Sequence, residues 1–246
     1  MTQRIALVTG GTGGIGSAIC EALADAGMKV IAGYSNEEKA IAWQQDQKAA
    51  GKDFLIQHVD VTSLESCEQA VAEAKEKAGG AIDVLVNNAG ITRDGVFKKM
   101  SWDQWHAVIN TNLDSAFNMT RPVFEDMLNS GFGRVINISS VNGEKGQFGQ
   151  SNYSAAKAGL HGFTKALAQE GARKGVTVNT ISPGYILTPM VAKIDQAIQD
   201  KITAGIPVGR MGAPSEIGRA VAFLAADEAG YITGSNLSIN GGQHMF

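Results

Sequence analysis

The chain has 246 residues, 44% of them hydrophobic and 18% charged, with 21 basic against 24 acidic side chains. A net charge of -3 and a mean hydropathy of -0.05 leave no basic footprint for nucleic acid or an anionic membrane, and no apolar run reaches the roughly 20 residues of a membrane span. Two cysteines, Cys20 and Cys67, argue against a disulfide scaffold or a metal site, so the expectation is one cytoplasmic α/β domain.

The opening Met1-Thr2-Gln3-Arg4 runs straight into a strand pattern, which leaves no room for a signal peptide. From there short β-branched runs alternate with longer segments of helical period, the pattern of βαβ units in a doubly wound parallel sheet. Strands are expected at 5–9, 29–32, 54–59, 84–87, 134–139, 177–182 and 237–239. Helices are expected at 16–26, 37–50, 64–78, 102–128, 153–174 and 215–225. Most of the strands are apolar throughout, as strands covered by helices on both faces are. Between Pro183 and Pro214 four prolines surround a short helical piece at 191–204, which reads as a functional loop. The domain is taken as 1–246 with a small lid at about 187–213.

The first strand leads into Thr9-Gly10-Gly11-Thr12-Gly13-Gly14-Ile15-Gly16 and then a helix. Glycines there permit positive φ, let backbone N–H groups approach a pyrophosphate, and bring the helix close to the strand. The helix N-terminus adds unpaired donors and partial positive charge. A nicotinamide dinucleotide site follows, with Gly10, Thr12, Gly13, Gly14, Ile15 and Gly16 around the phosphates.

No carboxylate ends the second strand where one would hold the adenosine ribose; Tyr34 and Ser35 stand there instead. A 2′-phosphate would want arginine, yet Glu37 and Glu38 follow with only Lys39 to offset them. The balance leans to NADH over NADPH, or to both. The same two acids also suit the N-terminus of the next helix. Asp60-Val61 after strand three fits the adenine, and Asp60 equally fits a cap or turn. Asn87-Asn88-Ala89-Gly90 closes strand four at the carboxyl edge, with Asn88, Ala89 and Gly90 placed for the cofactor.

Ser140 follows strand five, and Tyr153 and Lys157 share one face of a helix at i, i+4. An ammonium beside a phenol should lower the phenol pKa, so Tyr153 can exchange a proton with a carbonyl oxygen that Ser140 also binds. Lys157 can in addition hold a ribose.

In order, the Thr9–Gly16 loop, Asn87-Asn88-Ala89-Gly90, Ser140, Tyr153-x-x-x-Lys157 and Pro183-Gly184 resemble the short-chain dehydrogenase/reductase family over essentially the whole chain. That resemblance implies a seven-stranded Rossmann-type sheet, a homotetramer, and hydride transfer between NAD(P)H and a carbonyl. It adds Asn112 as a fourth catalytic residue, whose backbone carbonyl holds a water in that family. It also places Pro183, Gly184, Ile186 and Thr188 on the cofactor.

The segments Ser139–Tyr153, Ile91–Asp94 and Asn240–Met245 resemble more narrowly the acetoacetyl-CoA reductases of polyhydroxyalkanoate synthesis. By that likeness Asp94, Gln147, Phe148, Gln150 and Tyr185, with Ser140 and Tyr153, line the substrate site. Gln147–Gln150 also reads as a flexible polar loop, and Phe148 as a packing residue. The rival is a 3-oxoacyl-carrier-protein reductase. Carrier proteins are acidic, and the segment Leu128–Gly133 has no cation before Arg134, although Arg173 and Lys174 lie ahead of strand six. Coenzyme A is favoured. Pro189 replaces an acidic residue common in related lids. Trp102, Trp105 and His106 read as amphipathic packing.

Overall fold

Seven aliphatic runs become parallel strands: β1 (Ile5–Val8), β2 (Lys29–Tyr34), β3 (Leu55–His58), β4 (Val84–Asn87), β5 (Gly133–Ile138), β6 (Val176–Pro183) and β7 (Asn236–Ile239). This computed structural model describes residues 3–189 and 191–245; Met1 and Thr2 of the opening segment, Met190 of the lid and Phe246 lie outside the described residues. The strand order is β3-β2-β1-β4-β5-β6-β7. Chain direction across the sheet reverses between β1 and β4, so their carboxyl ends open the crevice where such sheets bind ligands.

Helices α1 (Gly14–Asp25), α2 (Glu37–Ala49), α3 (Leu64–Ala78), α4 (Trp102–Ile109), α5 (Ser115–Ser130), α6 (Val141–Lys145), α7 (Ser151–Gly171), α8 (Gln196–Ala204) and α9 (Pro214–Ala225) cover both faces. Two cores result. One packs Cys67, Val71, Met119, Val123 and Met127 of α3 and α5 on Leu7, Leu85 and Val135. The other packs Ile19, Leu23, Ile217 and Val221 of α1 and α9 on Val8, Val30 and Val86. Helices α1 and α9 approach closely because Gly218 lacks a side chain: a Cβ there would lie 2.4 Å from the Ala18 carbonyl oxygen.

The single helix expected over 102–128 is three pieces. A π-turn, Asn110–Asp114, separates α4 from α5, and its wide bond runs from the Ser115 N–H to the Asn110 carbonyl. Periodicity alone does not reveal such a turn, because the helical period is the same on either side of the one wide turn. The five-residue α6 was likewise not expected. The lid segment holds a 3₁₀ turn, Val191–Lys193, and α8. Its two ends are joined where Ile186 bridges Gly212 in parallel, with the Leu187 N–H on the Gly212 carbonyl at 2.8 Å and the Gly212 N–H on the Tyr185 carbonyl at 2.9 Å.

Trp102 corrects the reading of amphipathic packing. It is 71% exposed and stacks on His106 at 5.7 Å between ring centroids. Both cysteines are buried and free; burial pushes the Cys67 thiol up to about 12. Among the described residues no helix is long and apolar enough to cross a membrane, and no cluster of histidine, cysteine and carboxylate side chains could hold a metal ion.

Candidate active site

The turn between β1 and α1 is held by backbone bonds and by Asn88. Gly11 donates to the Gly33 carbonyl at 2.9 Å, and Gly13 to Gly10 at 3.1 Å. The Asn88 amide donates to the carbonyls of Thr9 (3.0 Å) and Gly10 (3.2 Å). The Thr9 hydroxyl in turn accepts from the N–H groups of Asn88 and Ala89 at 2.9 and 3.0 Å. The strand-four motif is therefore the brace of the glycine turn.

Gly10 has a φ of 61°, and a Cβ at Gly16 would stand 2.1 Å from the Gly10 carbonyl oxygen. Gly13 precedes α1 with no side-chain cap, so the first N–H groups of a 12-residue helix remain available as donors. A Cβ at Gly90 would come within 3.2 Å of Asn112 Oδ1 and 3.5 Å of Lys157 Nζ. Bare backbone, an uncapped helix start and a side-chain-free path toward Lys157 fit a dinucleotide.

At its adenosine end the expected residues divide. Tyr34 stacks edge-on against His58 at 5.6 Å, and its phenol is raised first by burial and then by the nearby Glu37 charge. Asn36 caps α2 by accepting from the Lys39 N–H at 2.9 Å, with Glu37 and Glu38 in the first turn. Asp60 is a turn residue rather than a helix cap. Its Oδ1 accepts from the hydroxyl and the N–H of Thr62 at 2.6 and 3.0 Å, and these bonds hold its pKa below the usual carboxylate range. Ser63 caps α3. The Val61 and Ile186 side chains are buried in the two cores, leaving only their backbones to meet a ligand.

Ser140, Tyr153 and Lys157 line one cavity of about 410 Å³ with Ile15, Asn88 and Gly90, closed on another side by Pro183 and Gly184. Three contacts seat them. Ser140 starts α6, its Oγ accepting from the Asn142 N–H at 3.1 Å. The buried Asn152 donates to the carbonyls of Arg93 and Gln104, both at 3.1 Å, and accepts from the Tyr153 N–H at 2.8 Å. Ser139 donates to the Lys157 carbonyl at 2.8 Å. Neither Asn152 nor Ser139 stands out in the sequence, since each works through a partner distant along the chain.

The electrostatics correct one expectation. The Lys157 ammonium lies 5.7 Å from the centre of the Tyr153 ring and donates to the Ile138 carbonyl at 2.7 Å. Burial brings the Lys157 amine down to about 8. Tyr153 is not lowered: burial raises its phenol, with the Ser140 hydroxyl pulling the other way. Desolvation of the phenolate is the largest cause, ahead of the Ser140 bond, and the Asp94 charge adds to the rise.

Asn112 pairs side chain to backbone with Ile91. Its Oδ1 accepts from the Ile91 N–H and its Nδ2 donates to the Ile91 carbonyl, each at 2.8 Å. This double bond pattern holds the π-turn against the strand-four loop, beside Gly90 and Lys157. Wide turns of this kind recur at functional sites. Asn87 joins β4 to β5 and α5 through Asn137 Oδ1 (2.8 Å) and Thr120 (3.2 Å).

The expected substrate residues spread over three places. Asp94 and Gln150 form a wall: Gln150 donates to Asp94 at 2.9 Å and accepts from Asn142 at 2.9 Å. Gln147 and Phe148 line a neighbouring groove. Tyr185 lines a separate small cavity with Arg210 and Glu216 rather than the Ser140–Tyr153 cavity. In the lid, Thr188 and Pro189 pack within about 3 Å of the position a Gly14 Cβ would take, which puts the lid directly on the glycine turn.

A family model described as short chain dehydrogenase matches residues 4–199. An acetoacetyl-CoA reductase of Cupriavidus necator is 56% identical over 246 residues, all of both chains. One from Allochromatium vinosum is 57% identical, covering 98% of this chain and 99% of its own. A 3-oxoacyl-[acyl-carrier-protein] reductase of Escherichia coli (strain K12) is 46% identical over 98% of each chain.

Proposed function

The chain belongs to the short-chain dehydrogenase family and is an oxidoreductase, and on that premise we propose that it reduces acetoacetyl-CoA to (R)-3-hydroxybutanoyl-CoA with NAD(P)H, in polyhydroxyalkanoate synthesis. The observation that carries this reading is the single cavity joining Ser140, Tyr153 and Lys157 to the glycine turn. Identity to acetoacetyl-CoA reductases at 51–57%, against 46% to the carrier-protein enzyme, supports the thioester. Arg134 supports it too: its guanidinium is turned inward onto the carbonyls of Ala226, Asp227 and Gly175, leaving Arg173 and Lys174 as the exposed cations near that edge.

Bound nicotinamide supplies the hydride. The chain's own groups deal with the oxygen and its proton. Ser140 donates to the substrate carbonyl and orients it. Tyr153 gives its proton to the same oxygen as negative charge develops there; a phenol raised by burial stays protonated at neutral pH and is loaded for reduction. Lys157, with an amine near 8, remains mostly cationic at neutral pH, stabilises the phenolate left behind and holds the ribose. Asn112 keeps the π-turn in place, with its backbone carbonyl set to hold a water that returns the proton. The glycine turn, with Thr12, Ile15 and Thr188, holds the phosphates and nicotinamide, and the segment 187–213 closes over them as a lid.

NADH is the preferred cofactor in this reading, because the carboxylates of Glu37 and Glu38 would face a 2′-phosphate beside Tyr34 and Ser35. Two apolar faces support a homotetramer. Phe117, Phe124, Leu128, Phe163 and Leu167 line an open cavity of about 520 Å³ between α5 and α7, while Phe223 and Tyr231 are exposed near α9. Buried free thiols and the lack of a spanning helix among the described residues suit the cytoplasm.

The test is cofactor oxidation, followed by nicotinamide absorbance, with NADH and NADPH each offered acetoacetyl-CoA and its carrier-protein counterpart. Faster turnover of the carrier-protein thioester would replace this reading with the carrier-protein one. Tyr153→Phe should lose turnover by roughly 10²–10⁴-fold while still binding dinucleotide.

A further inference from the structure

One helical turn past Lys157 on α7 stands His161, a half-buried imidazole that takes no part in the proton transfer. Its Nε2 lies 3.0 Å from the Ser139 hydroxyl and 3.4 Å from the Ser182 hydroxyl, and both serines are buried. Ser139 immediately precedes Ser140, and Ser182 precedes Pro183 and Gly184 of the catalytic cavity. The imidazole thus touches the carboxyl ends of β5 and β6 where they meet the active site.

The direction of these bonds is fixed from the far end of the network. Glu144 of α6 accepts from the Asn236 amide and the Ser238 hydroxyl. A carboxylate only accepts, so Asn236 turns its Nδ2 to Glu144 and its Oδ1 to Ser182. That Oδ1 takes the single hydroxyl hydrogen of Ser182 at 2.8 Å. Ser139 in the same way gives its only hydrogen to the Lys157 carbonyl at 2.8 Å. With both hydroxyl hydrogens placed, the contact between the two serines needs an N–H, and His161 Nε2 carries it. Burial holds the imidazole below its usual pKa, the Glu144 charge pulling the other way and the Lys165 charge adding to the fall. The neutral ring has one N–H, and it is this one.

Lys157 is meanwhile held at both ends by consecutive residues. Its Nζ donates to the Ile138 carbonyl at 2.7 Å, and its own carbonyl accepts from Ser139. Helix α6 closes on the same backbone, where a Cβ at Gly143 would stand 2.8 Å from the Lys157 Cβ. Resting on the reductase reading of Ser140, Tyr153 and Lys157, we propose that His161 is a positioning residue for Lys157. Its Nε2–H occupies the Ser139 oxygen, so the serine hydrogen points at the Lys157 carbonyl and the ammonium keeps its place relative to Tyr153. An aliphatic side chain at 161 would free the Ser139 hydroxyl to turn away and loosen that anchor. Misplacement of a reacting group by about 1 Å costs up to about 10²-fold in rate.

The test is a double-mutant cycle on the full-length enzyme with acetoacetyl-CoA. His161→Leu should lower kcat about tenfold while KM for the thioester moves less than about twofold. Ser139→Ala should cost about as much, and the double variant no more than either alone, because both remove one path. His161→Gln, whose amide N–H can stand where Nε2–H stood, should recover most of the loss. An unchanged kcat in His161→Leu, additive losses, or a glutamine variant as slow as the leucine one would overturn the assignment. Nitrogen-15 NMR gives a readout that needs no turnover. The unmodified enzyme should show the Nε2–H tautomer at His161, and the Lys157 amine resonance should shift in His161→Leu and return in His161→Gln. An Nδ1–H tautomer, or a Lys157 resonance that does not move, would remove this proposal even if the leucine variant folds poorly. Absence of thioester turnover by the unmodified enzyme would instead remove the substrate reading and leave the two resonances to decide this one.

Discussion

Replacing Lys157 with methionine should abolish turnover and, near neutral pH, make the protein more stable. The amine is buried and its pKa falls from 10.5 to about 8. At 1.36 kcal/mol per unit, holding the charge in the folded chain costs about 3 kcal/mol. Methionine has a similar shape and no charge, but it leaves the Ile138 carbonyl without its 2.7 Å donor, returning about 1–2 kcal/mol. The net expectation is a gain of about 1–2 kcal/mol. Its pH dependence follows from the sign of the shift. Below about 8 the lysine is charged in both folded and unfolded chains, so the wild type bears the full cost. Between about 8 and 10.5 the unfolded chain keeps a proton that the folded chain has released, and wild-type stability rises with pH. Above 10.5 the cost is gone, and the variant should become the less stable protein by the lost hydrogen bond. Urea unfolding of both proteins at one protein concentration, stepped from neutral pH to above 10.5, reads this directly. A variant already less stable at neutral pH, or a difference that does not move with pH, would refute the reasoning.

Three further outcomes are expected. Gly16→Ala forces a methyl group toward the Gly10 carbonyl at 2.1 Å, so dinucleotide Kd should rise about tenfold or more by titration, even though alanine favours the helix by about 1 kcal/mol. Asn112→Ala removes both bonds to Ile91 and should cost about 2–3 kcal/mol in urea unfolding, with kcat falling as the π-turn loosens. Glu216 is held down to about 2 by Arg210 and the Ala213 N–H, so its contribution is complete above 4.5 and is lost as pH falls toward 2. Glu216→Gln should flatten that acid limb and speed proteolysis of the Ile206–Gly212 arm that this pair anchors.

The direction of the Tyr153 shift has a mechanistic consequence. A site that lowered its phenol would favour withdrawal of a proton from an alcohol. In the proposed reaction, one that raises it by burial, with Ser140 in partial opposition, would keep the proton for delivery to a ketone. The two directions of one reaction thus have different pH limbs, which rate profiles for oxidation and reduction would resolve.

The strands, the glycine turn and the Tyr153–Lys157 pair were legible in the sequence because each is a local pattern: an aliphatic run, a φ that glycine permits, a spacing of one helical turn. The same holds for the departure at Tyr34 and Ser35, where a missing carboxylate is itself readable. What needed the folded chain joins residues far apart. Asn112 bonds Ile91 across 21 positions, Asn152 reaches Arg93 across 59, and Asn88 braces a turn 78 positions earlier. Burial was equally invisible, and it decided that the Tyr153 phenol rises, that Arg134 points inward, and that Trp102 and Phe148 face water. Periodicity reports which way a side chain points from its own helix or strand. How deeply it is desolvated depends on what packs against it, and only the tertiary structure supplies that.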